Sequence, residues 1–271
     1  VSDPRGQPPA KRPTLKRNYE AAPIFPEDVA FVRSLVIHDD AAILAFNKPA
    51  GLPVQTRHAE DRTLDRLLAV FARSNGKRPR LVHRLDAQTS GVIIAGKTQP
   101  AAAALSAAFA GRDMHKRYLA LVSGQPFDGE EGAIDIPLSR YPSKPGLELM
   151  RAARPGDEKP QPALTRWQVL ASAGASHLVA LAPETGRMHQ LRVHLSLVGR
   201  PIVGDPYYGG ATTLAGQPTR LMLHASRLEG PHPSGGRFNL GAPLPADFTA
   251  ILQLAGFDLA RLDLASVGGR V

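Results

Sequence analysis

The chain breaks into short apolar runs separated by polar turns. Residues 35–37 and 42–46 are apolar on either side of Asp39-Asp40, which is the spacing of a β-hairpin. Leu64, Leu67, Leu68 and Phe71 recur at helical spacing. Residues 81–82, 92–95, 118–122, 164–170, 177–181 and 221–225 read as strands. Pro100 opens an alanine-rich run to Ala110, a strong helix former. Residues 188–198 form a second helix, with Leu191, Leu195 and Val198 on one face and His189, Arg192 and Ser196 on another. A last helix is expected over 246–254. Residues 142–159 carry prolines, glycines and charges, and are expected to be a loop with at most a short strand at 147–150.

These runs show no regular strand–helix–strand alternation. The fold class is therefore α+β, with a mixed, largely antiparallel central sheet flanked by helices and loops. Residues 1–24 form a separate tail. Pro4, Pro8, Pro9 and Pro13 block regular structure there, and Lys11, Arg12, Lys16 and Arg17 make it basic. The remaining residues, 25–271, read as one domain, and a monomer is expected.

Composition narrows the chemistry. Hydrophobic residues make up 43% of the 271, enough to bury a core. There are no cysteines, which excludes disulfides, thiol catalysis and cysteine-ligated metals. No apolar run approaches the roughly 20 residues that span a bilayer, and the polar N-terminus has no signal-peptide core, so a cytoplasmic protein is expected. The net charge of +9 favours a polyanionic partner without specifying one.

Two segments concentrate candidate chemistry. The first is the polar loop His83-Arg84-Leu85-Asp86-Ala87-Gln88-Thr89-Ser90-Gly91 between two strand candidates. On spacing alone, a turn aspartate capping Gln88 or Thr89 is the stronger reading of Asp86. A half-buried catalytic carboxylate is the sharper one, and it needs a cation to stay ionised. The second is Gly186-Arg187-Met188-His189-Gln190-Leu191-Arg192-Val193-His194. Its basic residues are either a solvated stripe or a site in which Arg192 binds a carboxylate through two hydrogen bonds. His189 and His194 lack the zinc spacing of i, i+4, so no metal is expected. Tyr118, beside His115-Lys116-Arg117, is a packing residue or a stacking platform for a base.

Together these segments resemble the RluA-type pseudouridine synthases. The resemblance rests on Asn47-Lys48-Pro49-Ala50-Gly51, on His83 to Asp86 with Thr89-Ser90-Gly91, and on Lys116 with Tyr118. It continues through Gly186-Arg187, His189-Gln190, Arg192-Val193-His194, Gly204-Asp205 with Tyr208-Gly209, and Leu223-His224-Ala225. These motifs stand in the family's order over roughly residues 35–255. Met188 departs from it, since many members carry a hydroxyl residue there.

The resemblance implies that residues 25–271 are the catalytic domain of an enzyme that isomerises uridine to pseudouridine in ribosomal or transfer RNA. The target base would be flipped out of its stack. Neither cofactor nor metal is implied. Asp86, Tyr118 and Arg192 would be catalytic. Arg84, His83, Thr89, Lys116, Arg187, His189 and Gln190 would bind substrate. Two other readings compete: an RNA-binding protein without activity, and a glycoside hydrolase, which normally needs a spaced carboxylate pair.

Overall fold

The computed structural model describes residues 24–56 and 62–262. Of the tail expected over 1–24, all but Ile24 lies outside the described residues. No helix among the described residues is long and apolar enough to cross a membrane.

The chain opens with α1 (Pro26–Ser34) and the hairpin β1 (Val36–Asp39) and β2 (Ile43–Lys48). Then come α2 (Leu64–Leu67), running into a 3₁₀ turn at Leu68–Phe71, β3 (Arg80–Leu81), β4 (Ser90–Gly96) and α3 (Gln99–Gly111). Next are β5 (His115–Ser123), β6 (Glu131–Asp135), the hairpin β7 (Leu138–Lys144) and β8 (Leu147–Ala152), β9 (Leu164–Ala173) and β10 (Ser176–Pro183). The last elements are α4 (Gln190–Leu197), a small hairpin β11 (Thr213–Leu214) and β12 (Gln217–Pro218), β13 (Leu223–Pro231), β14 (Arg237–Gly241) and α5 (Ala246–Leu254).

Ten strands form one sheet, in the order β1-β2-β4-β13-β5-β10-β9-β6, with β14 beside β13 and β3 beside β4. Its pairs are antiparallel except β4 with β13, which run parallel. That parallel pair is tight. Gly91 has φ +117, and a β-carbon there would meet the Ala225 carbonyl at 2.2 Å, so only glycine fits. Apolar clusters carry the fold. One gathers Leu119, Leu121, Val179, Leu181 and Leu195 with Phe248 and Leu252 of α5. Another gathers Leu44, Phe46, Leu64, Leu68 and Ile93 with Leu85.

The expected α+β class with a mostly antiparallel sheet is the observed one. Four local expectations need correction. Residues 26–34 form a helix that the polar sequence did not announce; Pro26 opens it, and Asp28 Oδ2 accepts the Phe25 N–H at 3.3 Å. In the segment 142–159 the short strand expected at 147–150 is present as part of β8, and what the sequence did not announce is its partner β7, which runs into the segment and pairs with it. Pro142 is tolerated there because the hairpin is two-stranded and its register shifts beside that residue. The helix expected over 64–71 tightens to 3₁₀ geometry after Leu67. The helix expected from Met188 begins at Gln190, because His189 is left-handed at φ 53.

Candidate active site

The loop from Val82 to Thr89 joins β3 to β4. Its shape follows from one buried side chain and one buried cation. Leu85 is inserted into the cluster around Phe46 and Leu68. Lys48, fully buried at the end of β2, donates through Nζ to the carbonyls of Pro49 (2.9 Å), Leu52 (2.8 Å) and Ala87 (2.9 Å). One ammonium thus ties the 49–52 turn to the residue after Asp86, and Gly51 N–H adds a second bond to Ala87 O at 2.9 Å. Burial pulls the Lys48 pKa down to about 7 against the opposing pull of the Asp86 charge.

Asp86 does form a turn, but through its backbone: the Thr89 N–H donates to Asp86 O at 3.1 Å. Its carboxylate is a third exposed and faces a cation instead. Arg192 Nη1 donates to Asp86 Oδ2 at 3.3 Å, and His189 Nε2 lies 3.8 Å from the same oxygen. Arg192 is itself held from behind. Its Nε and Nη2 donate to the two oxygens of Asp205 at 2.7 and 2.8 Å, and the Asp205 side chain is completely buried. Asp205 also accepts the N–H groups of Tyr207 (2.9 Å) and Tyr208 (3.2 Å). Burial works against the Arg192 charge, and the Asp205 hydrogen bonds with both carboxylates outweigh it and push its pKa up. The turn that carries Asp205 depends on Gly204 (φ +79), whose β-carbon would strike Arg220 O at 1.7 Å.

A third tie fixes His189. The Met150 N–H donates to the Tyr208 hydroxyl at 3.0 Å, and that hydroxyl lies 2.9 Å from His189 Nδ1. If the phenol proton is to find an acceptor, it goes to Nδ1, which leaves Nε2–H facing Asp86. Burial lowers the His189 pKa more than Asp86 raises it, so the ring is neutral at neutral pH.

Above Asp86 lies a cavity of about 1220 Å³, and all of the sequence-predicted site residues line it. They do not all face it with free groups. Arg84 is exposed and Lys116 half-buried, and neither side chain has a hydrogen bond or ion pair among the described residues. Arg187 uses Nε on Pro162 O at 3.0 Å, leaving its terminal nitrogens. Tyr118 stands between Leu181 and Ala225 in the sheet; burial, with the Asp86 charge adding to it, pushes its pKa above the ordinary phenol range. It is therefore a phenol at neutral pH.

Two expected substrate ligands are engaged elsewhere. His83 accepts the Ile94 N–H at Nε2 (3.0 Å) and stacks on Phe109, and burial lowers its pKa to about 3. Gln190 is engaged more completely. Its Oε1 accepts from Thr185 and Arg187 N, and its Nε2 donates to Leu164 O and Thr165 Oγ1, so its amide is fully spent on the start of α4.

Sequence reasoning gave no role to Asp205, Lys48 or Tyr208. Their only signal was position within Gly204-Asp205, Asn47-Lys48-Pro49 and Tyr208-Gly209.

The RNA pseudouridylate synthase family profile matches residues 42–197. An uncharacterised RNA pseudouridine synthase of Zymomonas mobilis is 38% identical over 216 residues, covering 79% of this chain and 95% of the relative. The dual-specificity RNA pseudouridine synthase RluA of Escherichia coli is 35% identical over 219 residues, covering 79% and 94%. The structure of human RNA pseudouridylate synthase domain containing 4 superposes with a TM-score of 0.68 at 29% identity, covering 84% of this chain and 97% of that one. With these likenesses spanning the sheet and the Asp86 cleft, the chain belongs to the RluA-type family of RNA pseudouridine synthases.

Proposed function

We propose that the cleft receives a uridine flipped out of structured RNA, ribosomal or transfer RNA, and that Asp86 drives the exchange of its glycosidic bond while the enzyme acts as a monomer. The bond from the base nitrogen to the ribose breaks. The base turns, ring carbon 5 bonds to the same ribose carbon, and the hydrogen on carbon 5 leaves as a proton while the freed ring nitrogen gains one. The observation that carries this reading is the state of Asp86. It is a third exposed inside a cavity with room for a base, its carboxylate has one hydrogen bond among the described residues, from Arg192, and Asp205 fixes that arginine. An ionised carboxylate with unused lone pairs is what attack or proton removal requires.

The other roles follow from placement. Arg84, exposed and unpaired, fills the gap left by the flipped base. Tyr118 lies against the uracil as a neutral ring. Lys116 and Arg187 hold phosphate or base oxygens. Thr89 and His83 shape the loop that presents Asp86, and His189 offers Nε2–H beside the carboxylate. The E. coli relative is named for dual specificity, which supports more than one RNA class as substrate.

Label release tests this. RNA from cells lacking the gene, tritiated at ring carbon 5 of uridine, loses label to water only when that carbon is glycosylated. The wild type is expected to release it. Asp86→Asn is expected to bind the RNA and to lose turnover by about 10⁴-fold or more. Release by a clean preparation of Asp86→Asn overturns the assignment.

A further inference from the structure

The cations around the cavity are unequally engaged. On the β9–β10 side, Arg166 donates Nε to Glu184 at 2.6 Å. Where α3 runs into β5, Arg117 lies in the field of Glu229. Arg112, at that same rim, is exposed and lines the cavity, and its side chain has no hydrogen bond or ion pair among the described residues.

Its backbone is the second observation. Arg112 caps the C-terminus of α3 at φ 65, ψ 24, and its N–H points to the carbonyls of Ala108 and Phe109. Glycine is the usual residue there, because a β-carbon is strained in the left-handed region. The chain has a glycine one position earlier, at Gly111, yet keeps arginine at the strained position. The described non-glycine residues with positive φ are Arg112, His189 and Ala215. Ala215 makes the tight turn between β11 and β12, while the other two line the cavity. His189 faces Asp86. Strain kept outside a hairpin turn and beside a cleft points to use of the side chain. A cation placed only to favour the helix dipole has no need of this backbone, since it would serve from any position in the last turn.

We propose that Arg112 is a phosphate-binding residue, gripping the RNA backbone where the strand leaves the cleft between α3 and β5. Arg84 and Lys116 continue the same unpaired positive lining toward Asp86. The inference rests on RNA lying in the cleft, which label release with Asp86→Asn tests separately.

Arg112→Gly is the informative variant, because it removes the cation and relieves the backbone together. Binding is measured by fluorescence anisotropy with a labelled stem–loop RNA bearing an all-uridine loop, between about 50 and about 200 mM salt. The expected result is a Kd raised several-fold, a slope of log Kd against log salt reduced by about one, and a melting temperature no lower than wild type. Arg112→Lys is expected to restore the slope. Arg261→Gln is the control for losing any surface charge, since Arg261 is 87% exposed and outside the cavity. Arg112→Gly matching that control in Kd and slope, while Asp86→Asn has lost turnover, overturns the proposal alone. A wild type without affinity for the RNA overturns both readings.

Discussion

Two aspartates in this molecule face basic side chains, and only one of the two lies in the cleft. Asp40, in the β1–β2 turn, is saturated. Its Oδ1 accepts the Ala42 and Ile43 N–H groups, both at 2.7 Å, and its Oδ2 lies 2.6 Å from His38 Nε2 and 3.2 Å from His232 Nε2. Burial would raise its pKa, but those hydrogen bonds outweigh it and hold the group well below the usual carboxylate range. Among the described residues the Asp86 carboxylate has one hydrogen bond, a long one, and the rest of its acceptor capacity opens on the cavity. The difference lies one layer back. At Asp40 two histidines and two backbone N–H groups take up the carboxylate. At Asp86 the cation is pulled away by a second carboxylate, Asp205, which takes the two shorter bonds. Arg192 therefore aims Asp86 without saturating it.

Breaking that division has the largest expected effect. Asp205→Asn removes the buried charge that holds Arg192, leaving a buried guanidinium with Asp86 as its only carboxylate. Arg192 should swing onto Asp86 and take up the lone pairs that the reaction uses. We expect a stability loss of about 3–5 kcal/mol in chemical denaturation, as for other broken buried pairs. Where the variant is still folded, label release should fall by about 10²-fold, the scale of a small misplacement of reacting groups. Wild-type turnover in a folded Asp205→Asn would show that Asp86 does not depend on this restraint.

This arrangement also marks where the sequence stops being informative. Val92 to Ala95 announces β4 because an apolar run must be buried, and the alanine run announces α3 through propensity alone. Both are local signals. The Asp86 loop was visible as a polar stretch between strands, and Arg192 through its place in the 186–194 segment. The partner of Arg192 was not legible. Asp205 lies in a turn beyond the end of α4, and nothing in its neighbours says that its carboxylate is completely buried. The parallel pairing of β4 with β13 joins Ser90 to His224, far apart in the chain, and no periodicity encodes it. Helical spacing also left two readings of the basic residues of α4 open, a solvated stripe or a site in which Arg192 binds a carboxylate, and the second is the observed one. Arg192 and His194 are buried because β9 and the Asp205 turn cover them, and helical spacing sees only one helix.

Acid distinguishes Asp40 from a histidine buried elsewhere in the fold. Asp40 stays ionised in mild acid, so early acid unfolding must begin elsewhere. His224 is fully buried, lies 2.9 Å from Ser90 Oγ at Nδ1, and is 3.1 Å from Ala242 O at Nε2. That pattern suits a neutral ring, with Ser90 donating to Nδ1 and Nε2–H donating to the carbonyl. Burial lowers its pKa from 6.5 to about 4. Between those values the unfolded chain binds more protons than the folded one, so stability is full above about 6.5 and is lost as pH falls toward 4. The shift corresponds to on the order of 3 kcal/mol. Denaturation midpoints at stepped pH should decline through this window, and a variant carrying His224→Asn should decline less. Identical slopes would place the acid sensitivity at another group.

The smallest effect should come from Asp40, and it sharpens the comparison most. Asp40→Asn keeps an oxygen for the Ala42 and Ile43 N–H groups but turns an amide donor toward His38 and His232. The hairpin β1–β2 then loses its tie to the segment carrying His232. The carboxylate is partly exposed, so the loss should be modest, about 1–2 kcal/mol in denaturant unfolding. Label release from RNA should be unchanged at a temperature where both proteins are folded, because Asp40 lies outside the cavity and its bonds are complete within the fold. A saturated carboxylate contributes stability and an unsaturated one contributes chemistry, so the two variants, at Asp40 and at Asp86, should fail in opposite assays. Loss of turnover in a fully folded Asp40→Asn would show that saturation does not separate the two roles.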